Sequence, residues 1–204
     1  MTYQRQRPID ILTRDDLDTL LAGCGTSLTG TRNRALLSTL YFSGVRIQEA
    51  LDLRPVDIRF EGDGTATLNV RCGKGARQRI VTLAAPAIPD LQRWLAHRTG
   101  GVSESRDVAV FCIHARKQGQ VPGDPMRQGY VRQMLTRLAD RTDLGKRLHA
   151  HAFRHAHASY LYHRGVPIAA IQAQLGHVSP ITTTRYLASI GAHDAHRHVS
   201  MAFA

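Results

Sequence analysis

The chain has 204 residues, 43% of them hydrophobic, which is enough for one domain with a buried core. Its 27 Lys and Arg against 16 Asp and Glu leave a formal charge of +11, an excess that attracts polyanions such as nucleic acid or an anionic membrane surface. No apolar run approaches the roughly 20 residues of a membrane span, and the start of the chain is polar and charged, so neither a membrane helix nor a secretory leader is expected.

Residues 1–11 read as a basic, polar arm. Thr13-Arg-Asp-Asp16 predicts a helix start, with Thr13 as N-cap and acids in the first turn. Leu17, Leu20 and Leu21 form its apolar face, and it ends near Gly23. A second helix is predicted over 31–42, with Leu36, Leu37, Leu40 and Tyr41 inward and Gly44 as the break. A short third helix over 46–53 stops at Pro55. Three strands follow, over 56–60, 65–71 and 79–83, joined by Glu61-Gly-Asp-Gly64 and by a turn around Gly73-Lys74-Gly75. A helix over 86–98 places Ile88, Leu91, Trp94 and Leu95 on one side. An apolar run at 108–113 lies between two polar loops, and helices are expected over 125–142, 151–164, 167–175, 179–188 and 191–201. The fold class is therefore α+β, mainly α-helical, with a small three-stranded antiparallel sheet.

The positive charge is uneven. From Gly145 to the end, Asp194 is the only acidic residue, and the segment Arg71-Cys-Gly-Lys-Gly-Ala-Arg-Gln-Arg79 is strongly cationic. Clustered cations are what a phosphate-binding surface requires. Cys24, Cys72 and Cys112 are far apart and form no CxxC pair. This predicts a reducing, cytoplasmic setting with neither a disulfide framework nor a cysteine zinc site. His151 and His155 are spaced as in helical zinc sites, but HExxH is absent and no carboxylates flank them, so no metal or other cofactor is expected.

Four segments carry chemistry: Gly44-Val-Arg46-Ile-Gln-Glu49, Gly73-Lys74-Gly75, His151-Ala-Phe-Arg154-His155, and Leu175-Gly-His177 followed by Tyr186. In this order and spacing they resemble the tyrosine recombinase (phage integrase) family, over about Pro8 to Leu187. The resemblance implies a catalytic-domain-like fold of that family and a site-specific DNA recombinase. Such an enzyme cleaves and rejoins DNA through a 3′-phosphotyrosyl intermediate, without ATP or metal, in integration, excision or inversion.

The same resemblance assigns roles, and each has a physical reason. Arg46 and Arg154 match the family's two phosphate-binding arginines, and guanidinium groups can clamp the non-bridging oxygens bidentately. Glu49 matches an acid that orients its neighbours, and lies three residues after Arg46 on the same helical face. Lys74, between two glycines, would protonate the departing 5′ oxygen. Arg77 and Arg79 would add DNA phosphate contacts. His151 would accept the proton of the Tyr186 hydroxyl, whose ordinary pKa of about 10 demands a base and cationic surroundings. His177 would hydrogen-bond the scissile phosphate. Tyr160 and Tyr162 sit mid-helix and read as packing or partly exposed residues.

Double-stranded DNA is the expected partner, with a tetramer on two DNA sites, accessory DNA-bending or core-binding proteins, and no membrane. Residues 12–190 would form the catalytic domain and 191–204 a tail that either docks on a neighbouring protomer or covers its own core. Family members usually carry a further helical domain before the catalytic one, and no separate core-binding domain is expected here. A relaxing topoisomerase or telomere resolvase shares the chemistry. The complete set of motif residues separates the chain from a catalytically idle DNA-binding regulator.

Overall fold

The computed structural model describes residues 11–71, 78–98, 108–114 and 121–176. The first helix, α1 (Arg14–Gly23), begins as expected, with reciprocal bonds between the Thr13 hydroxyl and the Asp16 N–H and between the Thr13 N–H and the Asp16 carboxylate. Leu17, Leu20 and Leu21 are buried beneath it. The second, α2 (Leu28–Ser43), starts one turn earlier than its apolar pattern suggests, because the Ser27 hydroxyl caps the Gly30 N–H and draws Leu28, Thr29 and Gly30 into the helix. It ends at Gly44, whose φ of 66° is left-handed. A Cβ there would lie 2.6 Å from His157 Cδ2, so both conformation and space require glycine.

Helix α3 (Ile47–Asp52) is shorter than expected. Arg46 is its N-cap rather than its first helical residue, and Leu53 its C-cap. Pro55–Asp57 is a 3₁₀ turn, which trims the first strand to β1 (Ile58–Phe60). With β2 (Ala66–Val70) and β3 (Arg79–Leu83) it makes the anticipated antiparallel sheet, in the order β1-β2-β3, with Leu68 opposite both Ile58 and Val81. Alternation decides its faces: Ala66, Leu68, Val70, Val81 and Leu83 are buried, while Ile80 is exposed. A second 3₁₀ turn, Ala85–Ala87, leads into α4 (Ile88–Arg98), which therefore starts two residues later than predicted.

The main core lies around α2, between α1, α4, the inner face of the sheet and the helices that follow: α5 (Gln128–Arg141) and α6 (Ala150–His163). Helix α7 (Ile168–Leu175) packs on α6 through a small cluster of Ala158, Ile171 and Leu175. The predicted helices at 179–188 and 191–201, the arm before residue 11 and most of the turn around Lys74 lie outside the described residues.

The apolar run at 108–113 is a buried ribbon rather than a sheet strand. Its alternate carbonyls are held by side chains: Arg98 donates to Val108 O, Trp94 Nε1 to Val110 O at 2.7 Å, and Arg32 Nη1 to Cys112 O at 3.0 Å. Its N–H groups find main-chain partners, Val110 on Leu53 O and Ile113 on Asp124 O. Buried main-chain polar groups must be paired, and here long side chains do part of what a neighbouring strand would do.

Candidate active site

Arg46, His151 and Arg154 line one cleft of about 260 Å³, together with Gln48, Gln128 and Ala150. Residues more than a hundred positions apart thus converge, because the Gly44 turn brings the start of α3 against the start of α6.

Arg154 is 2% exposed. Its Nη1 donates to Gly44 O at 2.7 Å and its Nη2 to Leu175 O at 2.6 Å. These carbonyls stand at the C-terminal ends of α2 and α7, where helices leave acceptors without intrahelical partners. Two bonds from one planar group fix its orientation in the cleft wall. Ala152, Ala156 and Ala158 keep α6 narrow on its buried side, so that the helix lies close to its neighbours.

Arg46 is half-exposed at the cleft mouth. Glu49 holds it twice: Oε2 accepts the Arg46 N–H at 2.7 Å and Oε1 accepts from Nη1 at 2.9 Å. Glu49 is also forked by Arg79, with Nη1 and Nη2 each 2.8 Å from a carboxylate oxygen. Burial alone would raise the Glu49 pKa, but the hydrogen bonds from Arg79 and from the Arg46 main chain and the nearby charges bring it down to about 2. Glu49 is therefore ionised and committed to two arginines. The Arg79 guanidinium is turned onto Glu49, with 14% of its side chain exposed.

His151 lies at the cleft rim, with its ring 4.4 Å from that of His155 in an edge-to-face contact. Burial, followed by the charges of Arg154, His149 and Arg46, lowers the His151 pKa. Burial and the neighbouring His151, His149 and Arg154 take His155 down to about 4. A neutral His151 can accept a proton. His157 is buried between α6 and α2, its Nδ1 2.9 Å from Tyr41 O, and burial brings it down to about 4. Against a carbonyl, that nitrogen carries the hydrogen.

Sequence reasoning missed Gln48 and Gln128, which bond across the cleft rim, Gln128 Nε2 to Gln48 Oε1 at 2.7 Å. It also missed Gln174. Glutamine is common on helix surfaces, and nothing in the local sequence sets these three apart. Lys74, Arg77, His177 and Tyr186 lie outside the described residues. Tyr160 is exposed beneath the Arg164 guanidinium and Tyr162 is half-buried, as expected of residues outside the site. Among the described residues no three His, Cys, Asp or Glu side chains are grouped to hold a metal, and no helix is long and apolar enough to cross a membrane.

The model of the phage integrase family matches residues 10–193. The chain belongs to that family. A tyrosine recombinase of Thermosipho africanus (strain TCF52B) is 30% identical over 183 residues, 90% of this chain and 58% of that protein. The tyrosine recombinase XerC of Syntrophus aciditrophicus (strain SB) is 30% identical over 78% of this chain and 49% of its own length. Among solved structures, the XerH site-specific recombinase bound to palindromic difH substrate, a post-cleavage complex, matches at 27% identity with a TM-score of 0.74, covering 96% of this chain and 53% of that one. A lambda integrase dimer bound to a core site shares the fold, at 17% identity and a TM-score of 0.64. The chain spans about half the length of the curated relatives it matches.

Proposed function

We propose that the chain is the catalytic part of a site-specific DNA recombinase that cleaves and rejoins DNA through a 3′-phosphotyrosyl intermediate. The observation that supports this best is the convergence of Arg46, His151 and Arg154 on one cleft, at the positions where the family motifs fall. In this reading the two guanidinium groups hold the non-bridging oxygens of a phosphodiester and balance the charge that grows in the pentacovalent transition state. Tyr186 attacks phosphorus while His151 accepts its proton, and His177 donates a hydrogen bond to the phosphate. Lys74 gives a proton to the departing 5′ oxygen, so the strand leaves as a 5′-hydroxyl. The ester conserves the bond energy, and attack of a 5′-hydroxyl on it rejoins a strand without ATP. Residues 12–190 supply this chemistry in the cytoplasm, as a tetramer on two DNA sites with accessory DNA-bending or core-binding proteins, and 191–204 dock on a neighbouring protomer.

The test uses the full chain with a library of nicked duplexes, so that a cleaved strand cannot be rejoined. A denaturing gel then reads the covalent adduct, and sequencing of trapped duplexes reads the site. Tyr186→Phe removes the adduct while binding persists. An adduct that survives this change assigns the nucleophile elsewhere and overturns the reading.

A further inference from the structure

We infer that Arg79 is a positioning residue for the cleavage step, acting through Glu49 on Arg46 and through Gly176 on the end of α7, rather than a contact to DNA. The inference rests on the reading of the cleft given above.

The geometry is a closed arrangement of three elements. Arg79 on β3 forks the Glu49 carboxylate with two bonds of 2.8 Å. Glu49 on α3 in turn holds both the main chain and the guanidinium of Arg46. Arg46 Nη2 reaches toward Gly176 O at 3.4 Å. Gly176 closes α7 in the left-handed region, with φ of 66°, and a Cβ added there would lie 2.5 Å from Arg79 Nε. The Arg79 guanidinium therefore packs directly on the main chain of Gly176. One side chain sets the acid that aims Arg46 and also forms the surface on which the last residue before His177 rests.

A second tie runs parallel to it. Gln174 Oε1 accepts the Thr82 N–H at 3.1 Å, while its Nε2 donates to Thr82 O at 2.7 Å and to Ser43 O at 3.0 Å. Gln174 pins α7 to β3 and to the end of α2, and Arg79 continues that seam to the cleft. Lysine cannot reproduce the fork, since its ammonium is a point charge without a planar pair of donors. Arg79 spends both terminal nitrogens on an ionised carboxylate and does not line the cleft, whereas Arg154 lines it and donates to neutral carbonyls, which leave its charge for a phosphate.

The experiment compares wild type, Arg79→Lys, Arg79→Gln, Glu49→Gln and the double variant Glu49→Gln/Arg79→Gln on the nicked duplex identified above. Thermal melting establishes folding, and Arg79→Lys keeps the question answerable if Arg79→Gln does not fold. The expected result is unchanged DNA affinity and an unchanged slope of affinity on salt. The rate of adduct formation from bound complex falls by ~10- to 100-fold in all three single variants, the size expected of a misplaced catalytic group. In the Glu49→Gln background, Arg79→Gln adds little, because the two act as one unit. The defect shrinks on a duplex whose scissile phosphate is an uncharged methylphosphonate, which needs less from Arg46. The inference is overturned if the variants lose affinity, flatten the salt slope by about one ion, and cleave normally once bound. It is overturned as well if the Glu49 and Arg79 effects simply add. A wild type that forms no adduct would sink the reading of the cleft and this inference together, whereas the other two outcomes leave that reading standing.

Discussion

Arg32 and Arg154 are equally buried, at 2% exposure, and both donate to main-chain carbonyls, yet they sit in very different regions. Arg32 lies in the core, bonded to Cys112 O and the Tyr130 hydroxyl, with the Tyr130 ring 5.2 Å away. Its neighbours Trp94 and Arg98 perform the same service for the ribbon at 108–113. Arg154 instead has a wall of helix ends behind it and a cleft in front, shared with Arg46 and His151. Burial of a cation therefore does not identify a site. Burial beside a cavity where other reactive groups meet marks a candidate.

The largest expected effect separates the two arginines directly. Arg154→Lys keeps the charge but loses the fork, and adduct formation falls by ~100- to 1,000-fold in a folded protein. Arg32→Lys leaves the Tyr130 hydroxyl or Cys112 O poorly paired and costs about 3 kcal/mol in chemical denaturation, with the adduct rate per folded molecule unchanged. A folded Arg32→Lys that cannot form the adduct would break the distinction.

The next effect concerns the acid at the cleft. The Glu49 pKa is about 2 in the folded chain, below its ordinary 4.5, so its stabilisation is fully present above pH 4.5 and is lost as pH falls toward 2. Glu49→Gln is expected to be less stable by about 2 kcal/mol at pH 6, after allowance for solvent screening. The two melting curves should converge at pH 2 to 3, and a gap that persists there would mean that packing, not charge, holds this corner. His157 gives the opposite-signed group the same kind of window. Its folded pKa of about 4 lies below the ordinary 6.5, so stability is full above pH 6.5 and declines as pH falls toward 4. His157→Asn keeps a donor for Tyr41 O and removes about 1–2 kcal/mol of that loss at pH 5, read as a flatter dependence of melting temperature on pH. The smallest effect is at the cap of the first helix: Thr13→Ala costs about 1 kcal/mol and leaves the adduct rate alone.

Local signals carried the helices and the sheet. Thr13 and Asp16 marked a real cap, Leu36, Leu37 and Leu40 a real inner face, and the alternation from Ala66 to Val70 a real strand. Boundaries moved where a polar side chain overrode the apolar pattern, as the Ser27 hydroxyl did for α2 and the Glu49 carboxylate, which accepts the Arg46 N–H, did for α3. The partners of the ribbon at 108–113 were not legible, because Arg32 and Trp94 lie far from it in sequence and look like ordinary helix residues. The family resemblance grouped Arg46, His151 and Arg154, and the structure has all three on one cleft. The resemblance could not show that Arg79 turns back on Glu49, since spacing does not distinguish a cation facing solvent from one folded onto an acid thirty residues earlier.

The carbonyls behind Arg154 have one more consequence. They stand at the negative ends of two helix dipoles, each equivalent to roughly half an elementary charge. A carboxylate in that place would take up a proton in acid and could swing away to compete with an incoming phosphate. Helix termini do neither. The counter-charge of this guanidinium is built into the main chain, so acid that neutralises Glu49 leaves the setting of Arg154 as it was.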